Sequence, residues 1–165
     1  MSALRALLAM LTIVLFVLLP GLALAQEGQP HSVELSGPNF QTVKLTTEVL
    51  AKLPTVEKEV TFKTSGGTST GKFKGVLLWD IFQANKALDA FGHNKELLHT
   101  FLVVSADNYQ IAFSIGEIAP DFGNAPIMLA TEMDGKPIDK GFRIIVPGDT
   151  RGSRNVREVA RIELK

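Results

Sequence analysis

The sequence predicts a single α+β domain, with a mixed sheet and short helices, behind a cleavable export signal. Many short segments alternate between apolar and polar residues, as half-buried strands do. Only two stretches have the spacing of a helix, and both are short. No repeat, linker or low-complexity tract divides residues 26–165. Strands in this number, interrupted by short helices, are typical of one mixed α+β domain.

Residues 1–25 have the pattern of a signal peptide. Arg5 supplies a positive start, residues 7–19 are almost wholly apolar, and Ala23-Leu24-Ala25 fits a cleavage site before Gln26. The apolar run is short for a membrane span, although an uncleaved anchor is the alternative. We therefore expect a periplasmic protein of residues 26–165 that is not inserted in the membrane after signal cleavage.

The first half of the domain begins with strands at residues 32–37 and 40–45. Thr46 can cap a short helix, which Pro54 would end. Another strand is predicted at residues 59–64.

A glycine-rich segment at residues 65–71 is predicted to be a loop or hairpin. Its Gly71-Lys72 pair resembles the end of a phosphate-binding loop. Phe73, however, occupies the position where that loop needs a Ser or Thr hydroxyl for magnesium. After residues 73–76, Leu78 and Ile81 begin a helical pattern that fades near Ala90.

The second half of the chain contains more strands and turns than helices. A buried strand precedes a turn and a second strand, a hairpin follows, and another strand ends at a proline. The segments are residues 97–105, Asp107-Asn108, 109–115, 127–133 with Asp134-Gly135 as a type I′ turn, and 142–146.

The C-terminal segment is basic and then alternates apolar and polar residues toward residue 164. Arg151, Arg154 and Arg157 are spaced three apart, so on a helical turn they would share a face. Arginine suits anionic oxygens, and Gly152-Ser153 lets backbone amides approach a ligand. The spacing leaves two interpretations open, an anion site and a solvated basic surface.

Charge and composition exclude several classes of function. The chain has 17 Lys and Arg against 17 Asp and Glu, which argues against a nucleic-acid partner. It has no cysteine, so it can form neither a disulfide nor a thiolate ligand or nucleophile. His31, His93 and His99 are scattered, and no protein-built metal site is expected.

Five segments, in order, resemble the molybdopterin-binding domain of the sulfite oxidase family. Each is a weak signal alone, but together they span nearly all of residues 26–165. They are 43–54, the helix "GVLLWDIF" at 75–82, the turn "SADNY" at 105–109, "DGKPI" at 134–138, and "RIIVPG" at 143–148 followed by "GSRNVR" at 152–157.

The resemblance implies where a ligand would bind. Arg154 and Arg157 fall where the family binds the phosphate end of its cofactor, and Tyr109 falls at a pocket tyrosine. A flat pterin would lie against apolar side chains, with polar groups reading its edge. The residues expected to contact it are therefore Tyr109, Asp107, Ser65, Lys140, Ser153, Arg154 and Arg157.

Three departures from the family pattern change the expected chemistry. Thr64-Ser65 stands where the family has its metal-binding cysteine, and a hydroxyl is a poor substitute for a thiolate. The segment at residues 139–143 lacks the family's histidine and proline. Arg157 replaces a lysine, which keeps the charge but changes the geometry.

The sequence also resembles small, cysteine-less periplasmic proteins of this fold that bind pterins and regulate membrane-bound signalling partners. It therefore favours a pterin-binding regulator, without molybdenum and without enzymatic activity, that reports to the periplasmic domain of a membrane sensor. One alternative is a degenerate molybdopterin oxidoreductase whose metal is held by the cofactor alone. The other is an interaction module that binds no ligand.

Overall fold

The computed structural model describes residues 31–38, 40–92 and 96–165. The predicted signal peptide at 1–25 and His93 lie outside these ranges. The strands are β1 Ser32–Ser36, β2 Val43–Thr46, β3 Val56–Thr64, β4 Gly67–Leu77, β5 Thr100–Ser105, β6 Gln110–Ser114, β7 Met128–Met133, β8 Lys136–Pro137, β9 Arg143–Ile145 and β10 Val159–Leu164. The α-helices are α1 Thr47–Leu50, α2 Leu78–Ala84 and α3 Ile115–Ile118, and single 3₁₀ turns occupy Asp89–Phe91, Glu96–Leu98 and Gly152–Arg154.

Within the described ranges the strands form two sheets. The first has the order β2-β1-β10-β5-β6 and is mixed, because β1 runs parallel to β10 while its other pairs are antiparallel. The second has the order β3-β4-β7-β8, with β9 also paired to β7, and is antiparallel. This mixed architecture with short helices confirms the predicted α+β class.

The main hydrophobic core draws on both sheets and on the three helices. Val33, Leu35 and Leu45, expected to point inward, are fully buried. A smaller core lies on the other face of the second sheet and includes Phe62 and Phe73. Strand β9 contributes to both, because successive side chains of a strand point to opposite faces. Ile144 joins the main core and Ile145 the smaller one.

Local sequence signals placed several elements correctly. Thr46 caps α1, with its hydroxyl accepting from Val49 N at 3.4 Å. Asp134 and Gly135 have φ of 52° and 74°, as a type I′ turn between β7 and β8 requires.

Other boundaries were wrong. Of the two structures predicted for residues 65–71, the hairpin is confirmed and the loop is wrong, because β4 pairs with β3 from Gly67 onward. The Thr61 and Thr70 hydroxyls hydrogen-bond across this pair at 2.8 Å. Helix α2 ends at Ala84 rather than near Ala90, and α3 was not predicted.

Candidate functional site

Three adjoining clefts lie along the loop of residues 149–158, here called the cleft loop, which connects the segment after β9 to β10. The central cleft, about 370 Å³, is lined by Ser105, Asp107, Tyr109, Gly152, Ser153, Asn155, Val156, Arg157 and Glu158. The hairpin cleft, about 540 Å³, is lined by Lys63, Thr64, Ser65, Arg151, Gly152 and Ser153. The arginine cleft, about 600 Å³, is lined by Met133, Asp134, Lys136, Pro137, Ile138, Asp139, Lys140, Arg143, Arg157 and Glu158. Neighbouring clefts share lining residues, so they form one continuous surface.

The cleft loop is fixed against the end of strand β3. Lys63 N donates to Thr150 O at 2.9 Å, and Lys63 forms an isolated parallel bridge with Arg151. Gly152 lies so close to Phe62 that an added Cβ would come within 2.6 Å of its ring. A glycine at this position therefore allows the backbone of the loop to approach the second sheet.

A tight turn between β5 and β6 presents Asp107 to the central cleft. The Ser105 hydroxyl donates to Asp107 Oδ1, and Tyr109 N donates to the same oxygen at 3.2 Å. These hydrogen bonds, chiefly the one from Ser105, lower the pKa of the Asp107 carboxyl below its ordinary value. Asp107 is therefore a carboxylate at neutral pH, and it can only accept hydrogen bonds.

Tyr109 connects this turn to the cleft loop. Its hydroxyl donates to Ser153 O at 3.1 Å, so its proton is already engaged, while the side chain is 46% exposed. The exposed ring forms part of the central cleft wall. An exposed aromatic ring of this kind can stack on a flat heterocycle.

Arg154 points toward carboxylates rather than into a cleft. Its Nε and Nη2 bind both oxygens of Asp149 at 2.8 and 2.6 Å, and its Nη1 binds Glu117 Oε1 at 2.7 Å. Its guanidinium also lies 5.3 Å from the Phe113 ring centroid. The hydrogen bond to Asp149 is the largest contribution raising the pKa of Arg154. Arg154 thus links two positions within the cleft loop, through Asp149, and connects the loop to α3 through Glu117.

Arg143 is a candidate functional residue that the sequence analysis did not select. It is 8% exposed, and its guanidinium carbon lies 5.3 Å from the Phe62 ring centroid and 5.5 Å from that of Phe73. Its Nε has no hydrogen-bond partner among the described residues. Burial, with a smaller contribution from the charge of Arg157, lowers the pKa of Arg143 to about 10.

The arginine cleft therefore contains two neighbouring guanidinium groups that have no carboxylate partner among the described residues. Within the described ranges, no ion pair joins Arg143 or Arg157 to the carboxylates that also line the cleft, Asp134, Asp139 and Glu158. Lys140 lines the same cleft. Buried polar groups are normally paired, so an unpaired arginine facing a cavity is suited to an anionic ligand.

The structure thus brings most of the selected residues to one surface. The central cleft is lined by four of them, Asp107, Tyr109, Ser153 and Arg157. Ser153 also lines the adjoining hairpin cleft, where Ser65 lies. The expectation that the three spaced arginines share a face was wrong. Only one 3₁₀ turn forms there, and Arg151, Arg154 and Arg157 go respectively to the hairpin cleft, the carboxylates and the arginine cleft. The signal for Arg143 was a lone charge inside the apolar segment 142–146.

Neither a metal cluster nor a membrane-spanning helix is found in the part of the chain that the structure describes. No group of three or more His, Cys, Asp or Glu side chains there could hold a metal ion. No helix there is long and apolar enough to cross a bilayer.

A family model, described as the oxidoreductase molybdopterin binding domain, matches residues 22–165. The chain belongs to this family. The match covers all of the elements that form the three clefts. Family membership confirms the resemblance on which the sequence analysis relied, and the domain family binds molybdopterin.

Comparison with solved structures gives the same fold. The sulfane dehydrogenase SoxCD from Paracoccus pantotrophus matches with a TM-score of 0.64 at 16% identity over 81% of this chain. This chain spans 38% of the length of that protein chain, so the likeness concerns one domain of it. No curated protein sequence matches the chain.

The side chains of the clefts fit the organic part of molybdopterin better than its metal. Two buried donors without partners among the described residues, Arg143 Nε and Asn155 Nδ2, belong to residues lining adjoining clefts. The guanidinium groups of Arg143 and Arg157, which line the arginine cleft, suit a phosphate. Where the sequence analysis expects the family's cysteine, the hairpin cleft is lined by Thr64 and Ser65, whose hydroxyls are poor ligands for molybdenum.

Proposed function

We propose that this protein is an exported, periplasmic pterin-binding protein that works without molybdenum and regulates a membrane-bound signalling partner. The observation that carries the proposal is that Arg143 and Arg157 line a cleft adjoining the one that contains Asp107, and neither arginine pairs with a carboxylate among the described residues. A cationic cleft next to a carboxylate fits a phosphorylated heterocycle with amino groups on its edge. Family membership supports the class of ligand.

Each cleft residue has a distinct part in binding. Arg143, Arg157 and Lys140 would hold the anionic end in the arginine cleft. The Asp107 carboxylate would accept hydrogen bonds from the amino edge of the ring, and Tyr109 would pack on its face. Ser153 and Ser65 would contribute polar groups where the central and hairpin clefts meet, and Arg154 would act by holding the loop.

The first test is chemical analysis of the exported protein. The protein is purified from the periplasm and denatured, and the supernatant is assayed for pterin fluorescence and for molybdenum by mass spectrometry. Pterin without molybdenum is the expected result. Absence of both contradicts the proposal and favours an interaction module that binds no ligand.

An Arg157→Met variant tests whether the ligand binds in the arginine cleft. We expect its pterin content to fall about tenfold or more, because a charge-assisted bond to the anion is lost. Arg161→Met is the matched control, since Arg161 pairs with Glu163 and lines none of the three clefts. Equal pterin content in both variants would remove the arginine cleft from the site.

A molybdopterin oxidoreductase is the second candidate, and the family match is the observation that favours it. In that case the bound group would supply redox chemistry, while these residues would only bind and orient it. Stoichiometric molybdenum together with pterin in the purified protein would decide for this candidate.

Regulation requires that the loaded and empty proteins differ in affinity for the partner. Such coupling is reciprocal, so the periplasmic domain of the membrane sensor should tighten pterin binding by the same factor by which pterin tightens the complex. Pterin titrations with and without that domain measure the factor. A factor of one would contradict the regulatory part of the proposal and leave pterin binding intact.

A further inference from the structure

A fourth cleft adjoins the arginine cleft near the start of strand β1. This cleft, here called the histidine cleft, has a volume of about 520 Å³ and is lined by His31, Ser32, Ala106, Asp139, Lys140, Gly141, Phe142, Glu158, Val159 and Ala160. Asp139, Lys140 and Glu158 also line the arginine cleft, so the two clefts form one continuous surface. A molecule held by the arginines can therefore extend into the central cleft on one side and into the histidine cleft on the other.

The histidine cleft has the features of a site for a second flat ring. His31 is exposed, and its imidazole lies against Gly141, where an added Cβ would come within 3.4 Å of His31 Nδ1. The side chains of Phe142, Val159 and Ala160 add apolar surface to the same cleft. An exposed imidazole can stack on a nucleobase, and an apolar wall beside it favours a heterocycle over a small ion.

Two carboxylates stand where the arginine cleft meets the histidine cleft. They are those of Asp139 and Glu158, and neither forms an ion pair within the described ranges. Glu158 is held in place with a φ of 49°, and Ala106 N donates to its carbonyl oxygen at 2.9 Å. Carboxylates repel an anion, but they accept hydrogen bonds from the hydroxyls of a ribose. This junction therefore suits a hydroxylated sugar better than a further phosphate.

We propose that the histidine cleft binds a nucleoside, and that the ligand is a pterin joined to this nucleoside through a diphosphate. The inference rests on the pterin-binding function proposed above. The clefts present their groups in the order of such a ligand: Asp107 and Tyr109 for the pterin, Arg143 and Arg157 for the diphosphate, the two carboxylates for the ribose, and His31 for the base. A pterin ending in a single phosphate would leave the histidine cleft empty.

The first test identifies what the exported protein carries. Wild type purified from the periplasm is denatured, and the released compounds are analysed by mass spectrometry before and after a nucleotide pyrophosphatase hydrolyses any diphosphate bond. We expect one compound before treatment, and a phosphorylated pterin with an equal amount of a nucleoside monophosphate afterwards. A pterin released without a nucleotide overturns this inference and leaves the proposed function standing. Absence of any pterin overturns both.

Two variants test whether the nucleoside lies in the histidine cleft. Ala106→Phe fills the cleft from an exposed position, and His31→Ala removes the ring on which the base stacks. Ligand-free proteins are titrated with the dinucleotide released from wild type, and its pterin fluorescence is followed. We expect each variant to bind about tenfold more weakly than wild type.

Ala112→Phe is the matched control for Ala106→Phe. It places the same ring at another exposed alanine, on β6 and outside all four clefts, so it should bind as wild type does. His31→Ala truncates an exposed side chain, which keeps the test decisive if Ala106→Phe does not fold. Wild-type affinity in His31→Ala and in folded Ala106→Phe would place the nucleoside outside this cleft and overturn the assignment.

Discussion

At the scale of single residues, Arg143 is a charged side chain at a position in the smaller core that an apolar side chain could fill. It follows the pleat of β9, so it points to the same side as Ile145, into the smaller core with Phe62 and Phe73. The two rings offer favourable contacts to its guanidinium. Its lowered pKa of about 10 nevertheless shows that burial and Arg157 disfavour the charged form. Such a residue is typical of a site that an anion completes.

Replacing Arg143 by methionine should therefore separate stability from ligand binding. Methionine can keep the packing on both rings, and it removes a buried guanidinium that pairs with no carboxylate among the described residues. We expect the ligand-free variant to be about 1 kcal/mol more stable than ligand-free wild type at pH 7. Urea unfolding of both proteins after ligand removal measures the difference.

The pH dependence of that difference has a definite sign. Because the pKa of Arg143 is lower in the folded protein than its ordinary value, the charged form destabilises the fold at pH values below about 10. The advantage of the variant should be constant below this pH and shrink as the pH rises above it. A variant less stable than ligand-free wild type at pH 7 would show that Arg143 stabilises the fold.

At the scale of elements, the cleft loop is held by contacts with distant segments of the chain. The end of β3 holds one end through Lys63 and Phe62, and Arg154 links the middle to Asp149 and to Glu117 on α3. Bidentate contacts between arginine and carboxylates fix orientation as well as distance. The loop is thereby positioned before any ligand binds, which lowers the cost of ordering it on binding.

Arg154→Ala should weaken pterin binding through the loop rather than through a lost ligand contact. We expect about 1–2 kcal/mol of lost stability, because Asp149 and Glu117 lose their common partner, and pterin affinity about tenfold lower. Arg154→Lys keeps the charge without the bidentate geometry, so it should restore stability more than affinity. Thermal unfolding and pterin titration measure the two effects.

Arg161→Ala is the matched control for this prediction. Its side chain is 36% exposed against 34% for Arg154, and it also pairs with a carboxylate, Glu163, but it lines none of the three clefts. It should leave pterin affinity unchanged. Equal losses of affinity in Arg154→Ala and Arg161→Ala would assign the effect to general destabilisation.

At the scale of the whole molecule, the three clefts are lined by residues from both sheets and from the segment that connects β9 to β10. Strands β3 and β9 belong to one sheet, and β5, β6 and β10 belong to the other. Residues 146–158, which include the cleft loop, join β9 to β10. Strand β1 lies between β2 and β10, so the beginning of the described chain is built into the first sheet. Residues ahead of Ser32 can be removed without breaking that pairing.

This arrangement is compatible with signal cleavage after Ala25, which would leave β1 intact. We expect the exported protein to begin at Gln26 and to unfold at the same temperature as a chain started at that residue. Mass spectrometry of the periplasmic protein identifies its first residue. A full-length chain found only in the membrane fraction would support the uncleaved anchor instead.

The sequence alone determined the features of this protein that depend on short-range rules. The cap at Thr46 and the turn at Asp134-Gly135 follow from neighbouring residues, and the inward faces of β1 and β2 follow from a period of two. The missing cysteine excludes a thiolate ligand whatever the fold. The ordered motifs identified the family, which the family model then confirmed.

Only the tertiary structure decided which arginine has carboxylate partners and which has none within the described part of the chain. Spacing singled out Arg154, whose charge is neutralised by Asp149 and by Glu117 from a distant segment. Arg143 was hidden in an apolar strand, and its lack of a partner depends on every segment that surrounds it. The physical reason is that a side chain's electrostatic environment is set by residues far apart in sequence, which local patterns do not record.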